Sequence, residues 1–151
     1  MALTLFEKRI IAAEALAPVL KAFIDALGFE KVRDTLARVN RDAARQDGCQ
    51  LARKLGSATL TDFIHESRNW GAGGALEEEV LEQTDTTFFF NVTRCRFAEA
   101  YEAIGVKDLG VALSCGRDFS FIEGFNPKIK LVRTQTIMEG APICDFRYYL
   151  E

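Results

Sequence analysis

Gly71-Ala-Gly-Gly74 divides the chain into two stretches that obey different periods. Three glycines in four residues carry too large a backbone entropy cost to lie inside a helix or strand, so a regular element must end there. Before this break the apolar residues follow helical spacing. Leu5, Ile10 or Ile11, Leu16, Val19, Leu20, Phe23, Ile24 and Leu27 recur with charges between them. Pro18 is expected to kink this segment or to start a second helix, and Gly28 to cap it. Phe29, Val32, Leu36, Val39 and Ala43 mark one face of the next helix, expected to end near Asp47-Gly48. A short helix through Leu51 and Leu55 would then stop at Gly56. Thr61 is placed to cap another, running through Phe63, Ile64 and Trp70.

Beyond the glycines the pattern suits strands. Leu76 to Gln83 and Thr87 to Thr93 read as a hairpin around Thr84-Asp85, with Phe88, Phe89 and Phe90 in its second strand. Cys95 to Ile104 reads as a helix closed by Gly105. Asp108 is placed to cap the next, which continues to about Glu123 and is apolar on most sides, as a buried helix is. Ile129 to Met138 and Ile143 to Leu150 read as a last hairpin around Glu139-Gly-Ala-Pro142. The expected fold class is therefore α+β. N-terminal helices (1–70) precede a ββααββ unit (75–151), and an antiparallel sheet of about four strands is covered by helices on one face. The 151 residues, 48% of them hydrophobic, are a fitting size for a single domain, 1–151, with its own core.

Charge excludes one class of partner. The net charge is −3 and acidic and basic residues are interspersed, so nucleic acid has no electrostatic footprint. No apolar run approaches the roughly 20 residues that span a bilayer. The N-terminus, Met1-Ala-Leu-Thr-Leu-Phe-Glu-Lys-Arg, lacks the basic-then-apolar order of a signal peptide, so the expected setting is cytoplasmic. Cys49, Cys95, Cys115 and Cys144 are far apart and read as reduced, free thiols. A divalent metal held by Cys95, Cys115, Cys144 and the aspartates is conceivable, but the spacing gives it no positive support. No cofactor is predicted.

Polar residues break the patterning between Ser114 and Tyr148. Cys115 and Asp118 lie three apart on an apolar helix and share a face, flanked by Arg117 and Glu123. A carboxylate there needs a partner, because burying it alone costs several kcal/mol. Arg133 and Gln135 fall on the same side as Ile129, Leu131 and Ile137. In the final strand Cys144, Phe146 and Tyr148 face one way and Asp145, Arg147 and Tyr149 the other; period two leaves open which face is inward. Two readings follow. One is a structural ion-pair network between Asp118 or Asp145 and Arg117, Arg133 or Arg147. The other is a pocket for a small acid, with Arg holding a carboxylate bidentately and Cys or Asp doing chemistry. His65 lies outside these motifs and reads as a surface or boundary residue. Trp70 and Phe88 to Phe90 read as core and sheet packing.

Four motifs in order carry a family resemblance: Ser114-Cys-Gly-Arg-Asp118, Gly124-Phe-Asn-Pro127, Arg133-Thr-Gln-Thr-Ile-Met-Glu-Gly140 and Cys144-Asp-Phe-Arg-Tyr148. Together they resemble the L-2-amino-thiazoline-4-carboxylic acid hydrolase family. The likeness is dense from about Thr87 onward and looser over the helices, for instance at Arg41-Asp-Ala-Ala44 followed by Gly48. It implies hydrolytic opening of a cyclic amidine ring on a small carboxylate-bearing substrate. Under that implication Cys115 is the first candidate nucleophile, with Cys144 as a second thiol. Asp118 or Asp145 would be base or orienting group. Arg133 is the first choice for the substrate carboxylate, with Arg117 and Arg147 behind it, and Asn126 would donate a hydrogen bond from its loop.

Two other readings stand beside the hydrolase. The helices-then-ββααββ order also looks like the 4-vinyl reductase domain and related vesicle-tethering subunits, which implies a non-catalytic domain binding small or lipid-like ligands. A homo-oligomer would use the Phe88–Phe90 strand or the N-terminal helices as its interface.

Overall fold

The computed structural model describes residues 1–151. Helix α1 spans Leu5–Leu27, and its start is fixed by a capping box. The Thr4 hydroxyl accepts the Glu7 amide at 3.1 Å while the Glu7 carboxylate accepts the Thr4 amide at 2.8 Å. The helix does not restart at Pro18, which is exposed; the ring removes one backbone bond on the side where water can satisfy the orphaned carbonyl. Helix α2, Phe29–Leu55, also differs from expectation, because it runs straight through Asp47-Gly48. Gly48 is not a stop. It is buried against a later helix, at a place where a side chain has no room. Helix α3 covers Leu60–Ser67, capped by Thr59 rather than Thr61, and passes into a 3-10 segment, Arg68–Gly74.

The sheet follows. Strands β1 (Leu76–Gln83) and β2 (Thr87–Cys95) form the expected hairpin, and helix α4 (Arg96–Ile104) ends at Gly105 in the left-handed conformation. The helix expected from Asp108 to Glu123 is broken into three pieces. They are a 3-10 turn at Lys107–Leu109, a π turn at Val111–Cys115 and helix α5 at Arg117–Phe125. The π turn is closed by the Gly116 amide donating to the Val111 carbonyl at 2.8 Å, an i→i−5 bond. Strand β3 is only Ile129–Val132, and β4 is Cys144–Leu150. The predicted strand to Met138 stops early because Asp145 captures the chain beyond it. Its carboxylate accepts the amides of Thr134 and Gln135, each at 2.9 Å, and the Thr134 hydroxyl at 2.6 Å. A 3-10 turn, Ile137–Glu139, then forms in place of strand.

The four strands make one antiparallel sheet in the order β1-β2-β4-β3. Register places Val92 opposite Cys144, Phe90 opposite Phe146 and Phe88 opposite Tyr148. All six are buried, which settles the inward face of β4. Two apolar cores result. One gathers Ala13, Leu20, Phe97, Tyr101 and Leu109 between α1 and α4; the other gathers Leu60, Phe63, Ile122 and Ile129 with the inward sheet residues. Phe88 and Phe90 are thus internal, while Phe89 between them is half-buried on the other face of the sheet. Helix α1 does expose apolar side chains, Leu16, Val19, Phe23 and Leu27 among them. No helix is long and apolar enough to cross a membrane.

Candidate functional site

The two cores meet around a cavity of about 230 Å³. Its walls are mostly apolar, with Trp70, Phe97, Phe121 and Phe146 among them, but five charged side chains and three thiols also reach it. The charges are Arg9, Arg117 and Arg133 against Asp47 and Asp118; the thiols are Cys95, Cys115 and Cys144. Trp70, expected as plain core, is in fact part of this wall while also packing on Phe63 and Phe121.

The centre of the site is the pair Asp118–Arg133. Asp118 opens α5, just after the π turn, and Arg133 follows the end of β3. Their closest atoms are 2.6 Å apart, with side chains 23% and 5% exposed. The remaining Arg133 geometry is also committed: it donates to the Cys115 carbonyl at 2.9 Å and lies 5.0 Å from each of the Phe119 and Phe146 rings. Burial pushes the Asp118 carboxyl above the ordinary aspartate range, against the pull of Arg133. Burial works to lower the Arg133 pKa as well, but the Asp118 charge beside it prevails and raises it.

A second pair joins α5 to α2. Arg117, nearly buried, donates to Asp47 at 2.7 Å and to the Asn40 carbonyl at 3.2 Å. Asp47 is about half exposed (53%), and so marks a side of the cavity that meets solvent. The Asn40 amide in turn donates to the Ala112 carbonyl at 3.0 Å, holding the π turn against α2. That turn carries Ser114 and Cys115 to the cavity wall.

All three thiols are raised above the usual cysteine range, chiefly by burial. For Cys115 the Asp118 charge adds to the effect and Arg133 opposes it. Cys144 accepts the Ile137 amide through sulfur at 3.2 Å. Burial thus favours the neutral thiol over the thiolate at each of the three. No group of three or more His, Cys, Asp or Glu side chains is placed to hold a metal ion.

The structure thus brings Cys115, Asp118, Cys144, Arg117 and Arg133 to one cavity and leaves Asp145, Arg147 and Asn126 off its wall. Asp145 holds the β3–β4 connection. Arg147, on the outer face of the sheet, donates to the Phe90 carbonyl and to Asn91, each at 2.9 Å. Asn126 ties its loop to the Ala58 carbonyl at 2.8 Å. His65 is exposed on α3, beside Glu66. Arg9 and Asp47 escaped the reading of the sequence. Arg9 sits one turn after Leu5 and one turn before buried Ala13, so the signal was a cation on an inward stripe.

An antiparallel four-stranded sheet covered by helices, enclosing a small cavity with paired charges and apolar walls, places the chain in the α+β class of folds. Within that class the chain belongs to the L-2-amino-thiazoline-4-carboxylic acid hydrolase family, whose model matches residues 8–148. No curated protein is similar enough to be matched with it. Among solved structures it is similar to the phenol-responsive sensory domain of the transcription activator PoxR with phenol. That likeness has 14% identity and a TM-score of 0.58, over 91% of this chain and 74% of that one. It is also similar to trafficking protein particle complex subunit 3 from Naegleria fowleri covalently bound to palmitic acid. There the identity is 11% and the TM-score 0.53, over 93% of this chain and 96% of that one. At these identities the two likenesses show a shared fold.

Proposed function

We propose that the cavity is the active site of a hydrolase that opens the cyclic amidine ring of a small carboxylate-bearing substrate, the reaction for which the family is named. The observation that carries this reading is Asp118, withdrawn from solvent, held by Arg133 at 2.6 Å and raised in pKa, on the wall of a cavity sized for one heterocycle. A base works best when its pKa approaches the working pH, and burial moves Asp118 that way. Water, deprotonated by Asp118, adds to the ring carbon between nitrogen and sulfur. The proton taken up by Asp118 passes to the ring nitrogen as the carbon–sulfur bond breaks. The added hydroxyl becomes the carbonyl and its proton goes to the departing thiolate, and the product is an N-carbamoyl amino acid with a free thiol.

The cysteines fit this route as neutral groups. Burial keeps Cys115 protonated, so it acts as a polarisable, hydrogen-bonding wall beside the departing sulfur and not as the attacking atom. Four free thiols suit a reducing, cytoplasmic setting. The test is ring opening of L-2-amino-thiazoline-4-carboxylate followed as new free thiol, with Asp118→Asn beside the unaltered protein. Turnover lost in a folded Asp118→Asn variant supports the reading; undiminished turnover removes Asp118 from the chemistry.

The apolar walls favour a second reading, a binding domain without chemistry. PoxR's sensory domain is phenol-responsive, and a cavity lined by Trp70, Phe121 and Phe146 suits a small ring of that kind. Absence of turnover together with a co-purified ring compound would favour it.

A further inference from the structure

Three guanidinium groups and two carboxylates reach the cavity, and the pairing among them is uneven. Arg133 is taken by Asp118, the Cys115 carbonyl and two aromatic rings. Arg117 is taken by Asp47 and Asn40. Arg9 has neither a hydrogen bond nor an ion pair within the chain, the pairs of the site being Arg117–Asp47 and Arg133–Asp118. It is half-buried on the inward side of α1, one turn from Leu5, which shares the wall. Its surroundings do not neutralise it. Burial and the Arg117 charge both work against its protonated form, while Tyr101, Asp47 and Asp118 favour it. A half-buried cation without a partner carries a desolvation cost that a bound anion would offset.

We infer that Arg9 is the residue that receives the ligand's anionic group, so that the cavity selects small carboxylates over their neutral amides. The guanidinium presents parallel N–H donors that match a carboxylate's two oxygens. Arg133 cannot serve equally, because a ligand would have to displace Asp118 from it at 2.6 Å. With the carboxylate on Arg9, the body of the ligand lies against the apolar and sulfur-bearing walls, among them Cys95, Cys115 and Phe146. The inference rests on the proposal that this cavity is the ligand site, though not on ring opening.

The experiment is calorimetric binding of 2-aminothiazole-4-carboxylate, an aromatic ring that does not open, and of its carboxamide, to the unaltered protein, Arg9→Gln and Arg9→Lys. The unaltered protein should prefer the carboxylate by about tenfold or more, the worth of one charge-assisted contact. Arg9→Gln should lose that preference by weakening the carboxylate alone, and Arg9→Lys should keep part of it. Equal binding of carboxylate and carboxamide by the unaltered protein overturns the inference, as does an undiminished preference in Arg9→Gln. Binding of neither compound at millimolar concentration overturns both the inference and the cavity's assignment as a carboxylate site. If Arg9→Gln fails to fold, Arg9→Lys alone decides: a ratio reduced severalfold supports recognition of the carboxylate by the Arg9 guanidinium, and an unchanged ratio overturns it. A retained carboxylate preference without ring opening upholds Arg9 while removing the hydrolase.

Discussion

Gly48 of α2 and Gly124 of α5 lie where the two helices cross with no side chain between their backbones. A methyl group on Gly48 would come within 2.7 Å of the Phe125 amide nitrogen, and one on Gly124 within 2.8 Å of the Arg45 carbonyl carbon. Close passage of α2 brings Asp47, the residue before Gly48, onto Arg117, and so fixes one wall of the cavity.

Gly48→Ala should therefore destabilise the fold by about 1–3 kcal/mol, the usual cost of overpacking. Because backbone atoms oppose the new methyl, the upper part of that range is expected. Chemical denaturation measures it, and a midpoint unchanged from the unaltered protein would contradict the close crossing.

Asp118→Asn should reduce ring opening by about a hundredfold or more if Asp118 is the base. Any ring opening by the unaltered protein should fall on the acidic side of a pKa displaced above the ordinary aspartate value of about 3.9, since burial raises that group. Asp118→Ala should cost more in stability, about 3–5 kcal/mol, because it strands Arg133, 5% exposed. A pH–rate profile of kcat/KM and a melting curve separate the two effects.

Cys115→Ser should retain activity within about tenfold, and the Cys115 thiol should react slowly with alkylating reagents near neutral pH, as a buried and protonated thiol does. Complete loss of turnover in a folded Cys115→Ser variant would instead make Cys115 the nucleophile.

Asp145→Ala should loosen the segment between β3 and β4 and cost about 1–3 kcal/mol, since three donors lose their acceptor. Burial acts to raise the Asp145 pKa, but the Thr134 and Gln135 bonds outweigh it and the net direction is down. Its stabilising contribution is thus complete above the unfolded aspartate pKa of about 3.9 and disappears as pH falls through the lowered folded value. Stability measured from pH 6 to 2 should fall less steeply in Asp145→Ala.

The elements legible in the sequence were those announced locally. Gly71–Gly74 marked the change of period, Gly105 the end of α4 and Thr84-Asp85 the first hairpin. Glycine also misled, because the same residue type that ends a helix permits two helices to touch, and only the partner helix distinguishes the cases at Gly48. The shortened β3 depended on Asp145, ten residues or more away, taking amides that alternation assigned to the sheet. The site divided in the same way. Cys115, Asp118 and Arg133 stood out as polar residues in apolar segments. Asp47, however, meets Arg117 from 70 residues earlier, and Arg9 reaches the cavity only when α1 packs against α2 and α4. Periodicity reports a residue's own element and says nothing about which other element that face will meet.

Leu76, Cys95 and Ile137 pack against both apolar cores, and Leu76 and Cys95 also form part of the cavity wall between them. Whatever occupies that cavity becomes mortar between two courses of brickwork. At a concentration a hundred times its Kd, an occupant adds about 2.7 kcal/mol to the folded state. An occupant on that seam touches both cores, so amides on α1 and amides on β4 should slow their exchange with solvent together once the site is filled.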